Sequence, residues 1–113
     1  MGNTGNCVDV GASVEFDRIA DALAHSERRQ VLVGLLDHNP LDYREAIVGD
    51  AAAERDGATI RMIHMHLPKL EDMGFISWNS DSGTVVKGDQ WNEIEPTLRL
   101  LSDNREQLPA DVF

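Results

Sequence analysis

Residues 59–87 read TIRMIHMHLPKLEDMGFISWNSDSGTVVK, and the apolar spacing changes character once within them, at Gly74. Before it, Ile60, Ile63, Leu67 and Leu70 recur at offsets of three, four and three, which predicts a helix over residues 59–73. Glycine is the preferred residue just past a helix end, so the helix should stop at Gly74. After it, Phe75–Asn79 and Thr84–Lys87 are rich in β-branched and aromatic residues and flank Ser80-Asp81-Ser82-Gly83. That pattern predicts a β-hairpin.

Working outward, Asp42 and Glu45 have capping-box spacing, which predicts a shorter helix from Asp42 to about Ala53 that buries Ala46 and Ile47, followed by a turn at Asp56 and Gly57. Ser26 is a candidate N-cap for a helix running to Asp37 or His38, with Val31, Leu32, Leu35 and Leu36 on its apolar face and Asn39-Pro40 ending it. Ser13 can cap a first helix over 14–24, in which Phe16, Ile19, Ala20 and Leu23 face the core. Residues 1–12 lack apolar periodicity and read as a disordered tail. Downstream, Trp91, Ile94, Leu98 and Leu101 line a C-terminal helix over about 90–107, with Pro96 in its first turn or kinking it.

The order is four helices, a hairpin and a helix. It predicts one α+β domain, mostly α, over 13–108: a winged helix-turn-helix with a two-stranded wing and a C-terminal helix.

With 113 residues, 42% of them apolar, the chain can bury a single core. It has no run of 18 apolar residues and no secretory start, so a cytoplasmic protein with no membrane partner is expected. Cys7 is the one cysteine, which excludes an intramolecular disulfide. Twenty acidic against ten basic residues give a net charge of -10, and Lys69 and Lys87 are the only lysines. That balance resembles cytosolic proteins of salt-in halophilic archaea. At low salt it would repel phosphate. At about 1 M salt the Debye length is only about 3 Å, so local geometry decides.

Two motifs carry a family resemblance. Residues 63–76, IHMHLPKLEDMGFI, look like the recognition-helix signature of ArsR-type winged-helix regulators, and residues 22–32, ALAHSERRQVL, resemble that family's second-helix entry. The resemblance spans roughly residues 15–100 and is nearest to small haloarchaeal members. It implies a sequence-specific DNA-binding transcriptional regulator that works as a homodimer on double-stranded DNA. Helix 59–73 would enter the major groove and control access of the transcription machinery.

Helical geometry then names a reading face. With Ile60 inward, residues Arg61, Met62, Met65 and Lys69 point outward, joined by Thr59 at the helix start. Arginine and lysine suit guanine or phosphate, and methionine suits thymine methyls. Asn79, Ser80, Thr84 and Lys87 place a wing against the backbone, or else form a merely structural hairpin. Arg28, Arg29 and Arg44 serve either phosphate or internal carboxylates.

Trp91, Ile94, Leu98 and Leu101 form the expected dimer interface, unless they pack only on their own domain. No cofactor is expected. His64 and His66 stand about 200° apart on a helix, unlike the i, i+4 spacing of two-histidine chelation, so no metal site is expected. His66 is expected to be semi-buried and bonded to nearby backbone, and Pro68 to bend the helix. No nucleophile elbow or phosphate loop is present, which argues against an enzyme. The competing reading is a winged-helix protein adaptor that docks through Met62 and Met65.

Overall fold

In the computed structural model, residues 16–47 and 51–113 are described. The expected disordered tail at 1–12 and Cys7 lie outside the described residues.

Residues 16–22 form the described part of helix α1, and α2 spans Ser26–Asp37. The four apolar residues expected to face inward on α2 do so: Val31, Leu32 and Leu35 are buried and Leu36 packs against them. The cap differs by one position, because Ser26 is already helical and His25 precedes it without a side-chain cap bond. On α1, Ile19 and Ala22 are buried, while Phe16 and Ala20 are exposed.

The next segment departs from expectation. Leu41–Asp42 forms a strand, β1, and Tyr43–Ala46 a 3-10 turn. Asp42 does cap, accepting from the Arg44 N–H at 2.9 Å, but the turn ends at Ile47. The predicted burial of Ala46 and Ile47 holds, whereas an α-helix from Asp42 does not form. Leu41 and Asp42 instead satisfy backbone groups by pairing with Val85 and Thr84.

Helix α3 begins at Ala52, seven residues earlier than predicted, and runs to Arg61. A π turn over Met62–His66 joins it to α4, Leu67–Asp72. Gly74, at φ 83°, then closes a Schellman motif: its N–H donates to Glu71 O and that of Phe75 to Leu70 O. A Cβ at Gly74 would lie 2.7 Å from Gln90 Cγ, so glycine is required there by both conformation and space.

The hairpin follows in the expected register-forming pattern, β2 (Ile76–Asn79) against β3 (Thr84–Lys87), with Trp78 opposite Val85. With β1 on the other side of β3, the sheet is three-stranded and antiparallel in the order β1-β3-β2. Helix α5, Trp91–Asp103, closes the core. The fold is α+β and mostly α, with the two-stranded hairpin and C-terminal helix of a winged helix.

Burial corrects the proposed dimer face. Trp91, Ile94 and Leu98 are 3% exposed or less and belong to the chain's own core, beside a half-buried Leu101. A domain this small needs them to complete its interior. Among the described residues no helix is long and apolar enough to cross a membrane.

Candidate nucleic-acid interface

The helical run from Ala52 to Asp72 divides into two halves. Residues 51–56 are all exposed and Gly57 is half-buried; the first buried side chain is Ala58. About one and a half turns of helix, residues 52–56, therefore stand clear of the body. From there Ala58, Met62, His66 and Leu70 are buried at successive intervals of four.

That interval explains why the outward face of the helix differs from the one predicted. In a regular α-helix each step of four residues drifts by about 40°, so three steps would carry Leu70 about 120° from Ala58. The π turn, in which Leu67 N–H donates to Met62 O, holds more residues per turn and takes up the drift. Met62 consequently points into the core at 0% exposure, and Ile60, expected inward, is 60% exposed. Pro68 lies in the first turn of α4, directly after the π turn. Proline lacks a donor and crowds the carbonyl four residues earlier, and the widened turn accommodates both effects without ending the helix.

At 100° per residue, Ile60 and His64 face away from Ala58 and Met62. Ile60, His64 and Met65 are outward side chains of the packed half, with Met65 52% exposed; Met65, Arg61 and Lys69 are exposed as predicted. Arg55 stands on the free half, with no carboxylate partner among the described residues. Sequence reading missed Arg55 because it began the helix at Thr59, and Ile60 and His64 because a regular period turned Ile60 inward. The signal available was the helix-favouring run Ala51-Ala52-Ala53-Glu54-Arg55.

Each predicted cation is already engaged. Arg61 grips Glu27 with two contacts, Nε to Oε1 at 2.9 Å and Nη2 to Oε2 at 2.8 Å. Lys69 Nζ lies 2.9 Å from Asp21 Oδ2. Arg44 forks onto Asp42 at 2.9 and 2.7 Å and donates to Ser82 O at 3.1 Å, which ties the hairpin tip to the 3-10 turn. The Thr59 hydroxyl donates back to Arg55 O. These neighbours lower the carboxyl pKa values of Glu27, through Arg61 above all, of Asp21 through Lys69, and of Asp42 through Arg44.

His66 is not semi-buried but fully buried at 1% exposure, and its partner is a carboxylate: Nε2 lies 2.8 Å from Glu27 Oε1. Burial lowers its pKa, with Glu27 opposing. In the neutral ring Nε2 then carries the proton, leaving Nδ1 as an acceptor with no partner among the described residues. Arg28 is also buried, its Nε unpartnered and its Nη2 3.9 Å from Asp21. His64, in contrast, is exposed.

On the hairpin, Asn79 Oδ1 accepts the N–H groups of Asp81 and Ser82, and the Ser82 hydroxyl donates to Thr84 Oγ1. Ser80 is exposed at the tip. A shallow open hollow lined by Ser77, Asn79, Ser80, Ser82, Thr84 and Val86 covers the hairpin's outer face. Lys87 falls at the opposite end of β3 from that tip, with its ammonium 5.4 Å from the Trp91 ring centre. Lys87, expected beside the tip, therefore lies away from it.

A family model described as a domain of unknown function, DUF7344, matches residues 20–86, more than half of the chain. The chain belongs to the DUF7344 family. The matched region runs from the end of α1 through the hairpin, so the DUF7344 unit holds α2, the sheet and the exposed helix, together with Asp21, Glu27, Arg28, Arg61, His66 and Lys69. Helix α5 lies beyond it. Searches of the curated proteins and of the solved structures return no match.

Proposed function

We propose that this chain is a sequence-specific DNA-binding transcriptional regulator of the ArsR-like winged-helix kind, cytoplasmic and without catalytic chemistry. One observation carries the reading: about the first turn and a half of α3, residues 52–56, is exposed on every side and precedes a half that is firmly packed. A helix with side chains is about 10–12 Å across, and the major groove of B-DNA is about 12 Å wide. A projecting helical end of this kind can enter the groove without the body colliding with the backbone.

The reading face moves toward the helix start relative to the sequence expectation. Arg55, Ile60 and His64 replace Met62, and Met65 stays. Ile60 and Met65 suit thymine methyls, and Arg55 suits guanine or phosphate. The hairpin tip around Ser80 acts as the wing. Two copies on two half-sites would pair through what the core leaves free, Phe16 of α1 and Leu100 of α5, which are 60% and 64% exposed.

The adaptor reading keeps one supporting observation. Ile60 and Met65 are large, apolar and exposed, while the cations nearest them are paired with carboxylates. Selection from a randomised duplex pool in molar potassium chloride separates the two. Enrichment of one sequence is expected for the regulator, and a pool that stays random would overturn it in favour of the adaptor.

A further inference from the structure

Where α1 meets α2, the cations outnumber the carboxylates they contact. The chain carries -10 overall, yet three cations, Arg28, Arg61 and Lys69, converge here on two carboxylates, Asp21 and Glu27. The rings of His25 and His66 meet beside them, 5.3 Å apart. Arg28 is 6% exposed with one nitrogen unpartnered, so its fixed charge is only partly answered within the protein. The first-turn amides of α2 add to the positive side, since His25 provides no side-chain cap.

The two outer cations are held differently from Arg28. The Arg61 side chain is 50% exposed and that of Lys69 42% exposed, and each reaches a carboxylate on another element. The forked contact of Arg61 with Glu27 uses the same planar geometry that a guanidinium uses on a phosphate. The Lys69–Asp21 pair is exposed on both sides and contributes little to stability, so exchanging its anion costs little, whereas Glu27 is 25% exposed and also holds His66, so its exchange costs more.

We infer that this corner is a binding surface for a nucleic-acid phosphate strand, and that Asp21 and Glu27 occupy Lys69 and Arg61 in the free protein until phosphate displaces them. The inference rests on the DNA-binding reading above and adds to it a device that holds the cations in place and weakens association. A strand laid along the corner would run beside α3 and α4, where the backbone flanking an occupied major groove lies. Arg28 contributes from beneath as an unmoving charge.

The test is a titration of duplex DNA across a potassium chloride series with the wild type, Asp21→Asn, Lys69→Gln, the Asp21→Asn/Lys69→Gln pair, and Asp103→Asn as a control for simple loss of one negative charge. Asp21→Asn is expected to bind about two- to fivefold tighter than the control. The gain should vanish in the double variant, and Lys69→Gln alone should flatten the salt slope by about 0.9. Glu27→Gln should tighten binding likewise; because Glu27 also supports His66, Asp21→Asn carries the decision if Glu27→Gln melts early. Wild type that binds DNA, with Asp21→Asn no tighter than the control or Lys69→Gln unchanged in slope, overturns the masking and leaves the regulator reading intact. Absence of DNA binding by both wild type and Asp21→Asn overturns both.

Discussion

The two halves of the helical run from Ala52 to Asp72 differ in nearly everything that physical chemistry can vary. The first half is solvated around the helix and held by its own backbone ladder, with Glu54 Oε1 accepting from the Ala51 N–H at 3.3 Å and the Thr59 hydroxyl donating to Arg55 O. The second half buries Met62, His66, Leu67 and Leu70, widens into a π turn, and is braced by Arg61–Glu27 and Lys69–Asp21. An isolated helix of two or three turns is marginal in water, so the free half depends on the packed half to nucleate it. Stability is concentrated in one part, leaving the other available for contact.

The largest effects should come from the packed half. Met62→Ala removes a fully buried side chain and should cost about 2–5 kcal/mol, read by chemical denaturation. Were Met62 on an outward reading face, the cost would be near zero. Leu98→Ala on α5 should lower stability by a similar amount at any protein concentration. A loss that disappeared on raising the concentration would return this residue to a dimer interface.

A smaller effect tests the buried histidine. His66 has its pKa lowered below the ordinary 6.5 chiefly by burial, so the unfolded chain takes up this proton first. Its contribution is complete above about pH 6.5 and is lost as the pH falls through the folded value. Glu27, lowered from 4.5 mainly by Arg61, adds a second loss in the same direction at more acid pH. Thermal unfolding should therefore show the melting temperature falling from pH 7 toward pH 5. His66→Gln, whose amide can still donate to Glu27, should flatten the upper part of that fall. An unchanged slope in His66→Gln would assign it to other groups.

The smallest stability effect is expected on the free half. Arg55→Ala should change stability by no more than about 0.5 kcal/mol, since surface substitutions away from caps and cores rarely do more. Leu100→Lys should leave the melting temperature similarly unaffected while shifting sedimentation toward monomer, and a dimer that persisted would exclude Leu100 from the contact.

The sequence revealed the parts of the fold whose signals are local. Gly74 ended its helix and the Ser80–Gly83 turn set the hairpin, because positive-φ glycines and turn residues act within a few positions. The apolar face of α2 was legible for the same reason. Strand β1 was not: Leu41 and Asp42 are strand only because Val85 and Thr84 offer them a free edge, and the capping signal of Asp42 was used by a 3-10 turn instead. On the site, Met65 was placed correctly, whereas Met62 and Ile60 exchanged sides. A regular 3.6-residue period could not register the π turn between them. The internal partners of Arg61 and Lys69 lie 34 and 48 positions away in sequence, and only tertiary packing brings Glu27 and Asp21 to them.

The central claim is that the outward face of the run, Arg55 on the free end of α3 with Ile60, His64 and Met65 beyond it, reads DNA while the buried face of the packed half holds it in place. Its most direct test is to measure, in molar potassium chloride, binding of wild type and Arg55→Ala/Ile60→Ser to the duplex that wild type selects, alongside the melting temperature of each. The account predicts unchanged melting and an affinity lower by about tenfold or more. Equal affinity in a variant that melts like the wild type would contradict it.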